Sequence, residues 1–290
     1  MQTVAAGGPL GSPMADAATE NTPQSLASPS APPVGVRFAM SSHPGRIRSD
    51  NQDACAAAPG RGIFVVCDGM GGAAAGEIAS KLAADAFLET ASLSTTEPVP
   101  LEDAATVTST ADCPKIQLER AVAAANRAVY QRSERYRALR GMGTTLVAAL
   151  IHSSGAGCSA WTANVGDSRC YLLRDKLLRQ LTSDHSVVEE QIRAGILSRE
   201  QAEFSPVRNV ITRAVGTQSE VAADIREHPL RSGDILLLAS DGLTRELHDE
   251  DIASILVLSS SLDAGSKALV QAANAHGGRD NITVLLIARD

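Results

Sequence analysis

Five aspartates stand where short apolar runs begin or end, and that placement constrains the fold of this chain more than any other feature. Asp68 follows GIFVVC and precedes Gly-Met-Gly-Gly, Asp167 follows SAWTANVG, and Asp241 follows ILLLAS and precedes Gly242. Asp280 sits in GGRDN just before ITVLLIA, and Asp53 lies in the turn DNQDA ahead of a short run, 54–58. Short aliphatic and β-branched runs bounded by Gly, Asp, Ser or Asn read as strands, predicted here at 36–39, 62–67, 144–151, 158–165, 169–173, 235–239 and 282–288. Connections are mostly of hairpin length, as in the Gly-Asp-Ser between 158–165 and 169–173, which favours antiparallel sheets over βαβ winding. Helical periodicity marks 77–90, with Ile78, Leu82, Phe87 and Leu88 near one face, and 116–139, through Leu118, Val122 and Val129. Further helices are predicted at 250–258 and 264–275.

Residues 34–290 therefore read as one α+β domain, near the size at which single cores stop growing. Residues 1–33 do not belong to it. The first 34 residues hold six of the 13 prolines and no aromatic, Lys or Arg, too little apolar surface to offset the entropy of ordering. They read as a disordered Ala/Pro/Ser-rich tail, without the basic start of a signal peptide. Residues 91–114 read as a polar surface loop, and 186–215 as a cover that opens with an amphipathic helix (Val187, Val188, Ile192).

Composition excludes several classes. Aromatics are 3% of the chain, too few for base-stacking platforms, and a net charge of −7 leaves no electrostatic footprint for nucleic acid or anionic membrane. No apolar run reaches the roughly 18 residues of a membrane-spanning helix. Five cysteines without a C-x-x-C pair read as reduced thiols of a cytoplasmic protein, not as a disulfide framework or zinc ribbon. Cys55 and Arg61 have the spacing of a cysteine phosphatase, but the intervening AAAPG lacks a glycine-rich anion cradle.

Any one Asp beside a Gly is ordinary turn chemistry. Five carboxylates converging at one end of a sheet would repel and titrate upward unless a cation sat among them. Oxygen donors of this kind suit Mg²⁺ or Mn²⁺; Ca²⁺ fits less well without a D-x-[DN]-x-[DN]-G loop, and zinc least, without paired Cys or H-E-x-x-H. Glycines 69, 71 and 72 allow close backbone approach to a ligand, and a helix starting near Ala73 would aim its N–H groups at an anion. Arg48, five residues before Asp53, could bind phosphate bidentately or form a surface ion pair.

The strings RIRSDNQDA, VVCDGMGG, GMGTTLVAAL, ANVGDSR, LTSDHS, LLLASDGL and GGRDNITVLLI, in that order, resemble the metal-dependent protein phosphatases (protein phosphatase 2C, the PPM family), in particular their compact bacterial branch. The resemblance implies a four-layer α-β-β-α sandwich of two antiparallel sheets flanked by helices, with a dinuclear Mn²⁺ or Mg²⁺ centre at one end. It implies that Asp68 bridges both ions, that the Gly69 carbonyl, Asp241 and Asp280 complete their ligands, and that Asp167 holds a third, weaker ion. Asp53 would orient the water that two ions activate for in-line attack on phosphorus, Arg48 would bind the phosphoryl group, and 186–215 would be the flap. Two positions depart from the family pattern. Met70 stands where some members carry a histidine acid, and Arg245 stands where some members carry an acidic third-metal ligand. The implied activity is hydrolysis of phosphoserine and phosphothreonine in proteins by a monomer acting against a bacterial Ser/Thr kinase and its substrates. Alternatives are a catalytically silent binding module and a phosphatase for anti-anti-sigma-like regulators.

Overall fold

The computed structural model describes residues 35–93, 113–155 and 157–289. The tail 1–33 and most of the loop expected at 91–114 lie outside the described residues.

Two antiparallel sheets stack face to face. The first runs in the order β1 (Val36–His43), β11 (Ile282–Arg289), β10 (Ile235–Ala239), β7 (Arg169–Arg174) and β8 (Leu177–Gln180). The second runs β2 (Asp53–Ala58), β3 (Ile63–Met70), β5 (Leu146–Ser154), β6 (Gly157–Val165) and β9 (Asp224–Leu230), with the short β4 (Gly143–Thr144) pairing on β3. Helices α1 (Ala73–Ser92) and α2 (Pro114–Arg135) cover the second sheet. The first sheet is covered by α5 (Asp241–Thr244), α6 (Asp249–Leu258) and α7 (Leu262–His276). The result is the expected α-β-β-α order of layers.

Strand β3 shows why its sequence is continuously apolar instead of alternating. Ile63, Val65 and Cys67 point into the layer shared with α1 and α2, while Phe64 and Val66 point between the sheets against Leu236, Leu238 and Leu285. Successive side chains of a strand face opposite ways, and here both faces are covered. Each such side chain contributes about 1.5–3 kcal/mol on burial.

Helix α1 differs from its periodicity reading. Ile78 and Leu82 are only half-buried, and the buried stripe runs through Ala75, Ala79 and Ala83 to Phe87. Alanine there lets the helix lie close on β2 and β3, which places its first turn over the end of β3. The helix expected at the start of 186–215 is α3 (Val187–Arg193), and β2 reads in sequence only as a short run. Strands β8 and β9 and the short helices α4 (Arg199–Glu203) and α5 were not anticipated. Both strands are sheet edges with alternating or charged sequence, and β8 follows a tight turn in which Asp175 and Lys176 both take positive φ. The signal for α4 was present: Ser198 and Gln201 form a capping box.

Candidate metal centre

Antiparallel pairing brings the five aspartates to one end of the sandwich. In such a pair the end of one strand lies beside the start of its neighbour. Asp241 leaves β10 where Asp280 leads into β11, and Asp53 opens β2 directly opposite Asp68 on β3. Asp167 occupies the turn that carries the chain from β6 in one sheet to β7 in the other. Asp68 is thus not in a turn after its strand but within β3, which continues to Met70. Asp53 is likewise the first residue of a strand, not a turn residue.

A cleft of about 480 Å³ opens at this end, and Arg48, Asp68, Gly69, Met70, Asp167, Arg245 and Asp280 line it together with Asp241. Asp53 is not on its wall. It lies beneath, buried, with its Oδ2 accepting a hydrogen bond of 2.8 Å from the Ser240 hydroxyl. Arg48 does not pair with the neighbouring acidic loop. Its guanidinium is half-exposed and donates to Asp280 Oδ2 at 3.0 Å, where the loop after β1 lies beside the start of β11. Arg245, one turn beyond Asp241, contacts the Asp241 carboxylate and also lies 3.7 Å from Asp167 and 3.5 Å from Asp280.

Gly69 is required by packing. A Cβ there would fall 2.1 Å from the Gly76 carbonyl oxygen of α1 and 2.6 Å from that of Gln52. The close approach is therefore to the chain's own backbone, and Gly69 N–H donates to the Gln52 carbonyl at 3.1 Å.

Residues that the sequence reading did not single out hold the carboxylates in place. Thr145 Oγ1 accepts from the Asp68 amide at 2.9 Å, and the Thr145 amide donates to the Asp68 carbonyl at 2.9 Å. Asn281 clamps the Arg48 loop, accepting from Gln52 N–H and donating to the carbonyls of Pro44 and Asp50. Around Asp167, Arg169 grips Asp184 bidentately, and His185 Nδ1 accepts from Gly166 N–H at 3.1 Å. That imidazole is held below its usual pKa by burial and by Arg213, so it stays the neutral acceptor the turn needs. Thr145, Ser240 and Asn281 all lie inside or beside the motif strings, and that adjacency was the available signal.

The electrostatics are those of crowded carboxylates. Burial, followed by the charges of Asp53, Asp241, Asp167 and Asp280, pushes Asp68 well above the usual range. Burial raises Asp53 to about 6 against its Ser240 hydrogen bond, and raises Asp241 to about 6 although Arg245 opposes it. Burial and Asp241 raise Asp167 to about 7, again against Arg245. A carboxyl whose folded pKa exceeds its unfolded value of 3.8 costs no stability below that value, and its penalty grows as pH rises through the folded value. Metal-free protein is therefore expected to lose Tm between about pH 4.5 and 7.5, and Mn²⁺ is expected to restore it at the upper end. A flat Tm across that window would show that these carboxylates do not repel one another.

The donor set fits hard divalent cations. Asp53 Oδ1 and Asp241 Oδ1 are buried without a hydrogen-bond donor, and every side-chain donor atom in the cluster is oxygen. The cluster is not a ready cage: among the described residues no three His, Cys, Asp or Glu side chains meet closely enough to hold an ion. Arginines 48 and 245 stand among the carboxylates, and ions would take over Asp241 and Asp280 from them.

The model of the family described as protein phosphatase 2C matches residues 45–276, most of the described chain and all five aspartates except Asp280. The chain belongs to the protein phosphatase 2C family. It is 39% identical over 253 residues to serine/threonine phosphatase stp of Listeria monocytogenes, spanning 85% of this chain and 93% of that protein. It is 38% identical to protein phosphatase PhpP of Streptococcus pneumoniae, over 84% of this chain and 94% of the relative. Its structure resembles the serine/threonine phosphatase PstP/Ppp of Mycobacterium tuberculosis with a TM-score of 0.76 at 32% identity, covering 89% of this chain and all of the other. The PstP catalytic domain in complex with two manganese ions gives a TM-score of 0.73 at 32% identity, over 88% and 98% of the two chains.

As a 2C-family chain, the protein has no use for a cysteine nucleophile. Cys55 lies on β2 beside Met40, and burial, followed by the charge of Asp53, pushes its thiol up to about 12. Among the described residues no helix is long and apolar enough to cross a membrane.

Proposed function

We propose that this metal-dependent serine/threonine phosphatase uses two Mn²⁺ or Mg²⁺ ions to remove phosphate from phosphoserine and phosphothreonine in proteins, counteracting a Ser/Thr kinase in a bacterial cytoplasm. The observation that carries the reading is the convergence of Asp68, Asp241, Asp280 and Arg48 on one cleft, above a buried Asp53. Asp68, the Gly69 carbonyl, Asp241 and Asp280 would hold the two ions, with Asp68 between them. When bound, such a pair supplies Lewis acidity that brings the pKa of water toward neutrality and offsets charge on phosphoryl oxygens.

The remaining work falls to side chains of this chain. Arg48 is exposed enough to leave Asp280 and grip two phosphoryl oxygens with its planar fork. Asp53, fixed through Oδ2 by Ser240, keeps Oδ1 as an acceptor that orients the attacking water from below. Met70 brings no titratable group to the cleft wall. Phosphate release from a phosphothreonine peptide, measured with Mn²⁺ and after exhaustive EDTA treatment, tests the reading; full activity after EDTA would overturn it. Arg48→Ala is expected to raise KM for the peptide by about tenfold or more and Arg48→Lys to rescue it only in part. An unchanged KM would return Arg48 to the role of a surface partner.

The segment 186–215 reads as the flap of a catalytic domain spanning 34–290. Its two feet are joined by the Ser186–Ile211 bridge and by Val187 N–H donating to the Val210 carbonyl. Asn209 and Ile211 reach the cleft wall, while Phe204 on the outer turn is 84% exposed. Phe204→Ala is expected to leave Tm and hydrolysis of a small aryl phosphate unchanged and to lower kcat/KM for a phosphoprotein. Equal losses on both substrates would mean that the flap supports the metal centre itself.

A further inference from the structure

The groups around Asp167 do not fit a third divalent ion, and the reason is Arg245. Asp167 is 8% exposed, and its Oδ2 lies 3.7 Å from a terminal nitrogen of the Arg245 guanidinium. The same guanidinium contacts Asp241, the carboxylate whose charge acts most strongly on Asp167. The nearby carboxylate of Asp184 is gripped bidentately by Arg169. Arg245 keeps about a third of its side chain in solvent, at 32%, but its main chain is anchored. Its N–H donates to the Asp241 carbonyl at 2.8 Å, so the two residues share one face of the turn that follows β10. That turn is pressed onto β11 at Gly242, where a Cβ would fall 2.0 Å from the Asn281 carbonyl oxygen. The guanidinium is therefore delivered to this spot by backbone that has little room to shift.

We propose that Arg245 is a tethered third cation: it holds Asp167 throughout, and Asp241 until the ions bind, so that this chain takes two divalent ions and excludes a third. The proposal rests on the two-ion reading above. With two ions bound, Asp241 and Asp280 turn to them and the guanidinium keeps Asp167. A guanidinium has a permanent charge and a fixed fork, and unlike a bound ion it carries no exchangeable water. Arg245 is thus a positioning residue. It fixes the Asp167 turn and the Asp241 carboxylate, and competes with the ions for the latter.

Counting bound Mn²⁺ on the full chain, by equilibrium dialysis with metal analysis and by calorimetric titration, tests this without reference to turnover. Wild type and Asp167→Asn are each expected to bind two ions. Arg245→Asp removes the cation and adds a ligand, and is expected to bind three, the extra, weaker step vanishing in the double variant with Asp167→Asn. Arg245→Glu offers the same test should the shorter acid fold poorly. Arg245→Gln is expected to stay at two ions and to bind at least one of them several-fold more tightly, because a competing cation has gone. A merely structural arginine would instead loosen them. Three ions on wild type with the third lost in Asp167→Asn would overturn the proposal, as would two ions on both acidic variants. Fewer than two ions on wild type, with the same number on Asp68→Asn, would overturn the two-ion reading and this proposal with it.

Discussion

Asp68→Asn is expected to remove phosphatase activity and, in the same protein, to raise the Tm measured in EDTA. The ion pairs of the cleft run from Arg48 to Asp280 and from Arg245 to Asp241, Asp167 and Asp280. Asp68 instead sits amid four other carboxylates, each raising its pKa after burial has done so. Asparagine keeps the shape, removes the charge and offers an N–H toward its acidic neighbours. Relieved repulsion is read at about 2–4 °C per kcal/mol for a domain of this size. Loss of the carboxylate proposed to lie between the two ions is expected to cost about 10³-fold or more in kcat at saturating Mn²⁺. Asp241→Asn and Asp280→Asn should lose turnover too, but without the gain in Tm, because each also loses an arginine partner. Retention of most of the wild-type kcat would take Asp68 out of the centre, and a lower Tm would make it a structural partner.

Gly69→Ala is expected to be strongly disruptive at this end of the sandwich. The added Cβ would lie 2.1 Å from the Gly76 carbonyl oxygen and 2.6 Å from that of Gln52, both backbone atoms of different elements. Neither can rotate away as a side chain would. Overpacking of this kind costs about 1–3 kcal/mol and occasionally more, or a fall in Tm of roughly 2–12 °C. Moving Gln52 also moves Asp53, and moving Gly76 lifts the first turn of α1, so Mn²⁺ affinity should fall with stability. Thermal unfolding with and without Mn²⁺ checks both. A Tm within error of wild type would mean that α1 lies less tightly on β3 than described.

Strand β10 at 235–239 matches its prediction residue for residue, and β3, β5, β6, β7 and β11 lie within a few residues of theirs. These are buried strands whose identity is written in local apolar runs and turn residues. The edge strands β8 and β9 were not legible, because an edge is half solvated, β8 is only four residues long, and the charged, Pro-containing sequence of β9 reads as loop. Helix α1 was legible as a helix but not in the face it buries, since alanine carries little hydrophobic signal and gains its meaning from how closely the sheet approaches.

The centre divides along the same line. Its acidic residue types, their positions at strand ends and the ordered motifs that mark the family are local properties of the chain. Several relations are not local. Asp53 lies under Asp68 because β2 and β3 pair in one register. Asp241 and Asp280 meet because β10 and β11, far apart in sequence, run antiparallel side by side. Arg48 finds Asp280 because β1 pairs with β11 and the loop after His43 lies beside the start of β11. Arg245 lands among three carboxylates because β7, β10 and β11 are neighbours in one sheet. Strand periodicity and turn chemistry act over a few residues and so can be read along the chain. Register, stacking and the pairing of charges between neighbouring strand ends arise from contacts between distant segments, and these exist only once the sheets have formed.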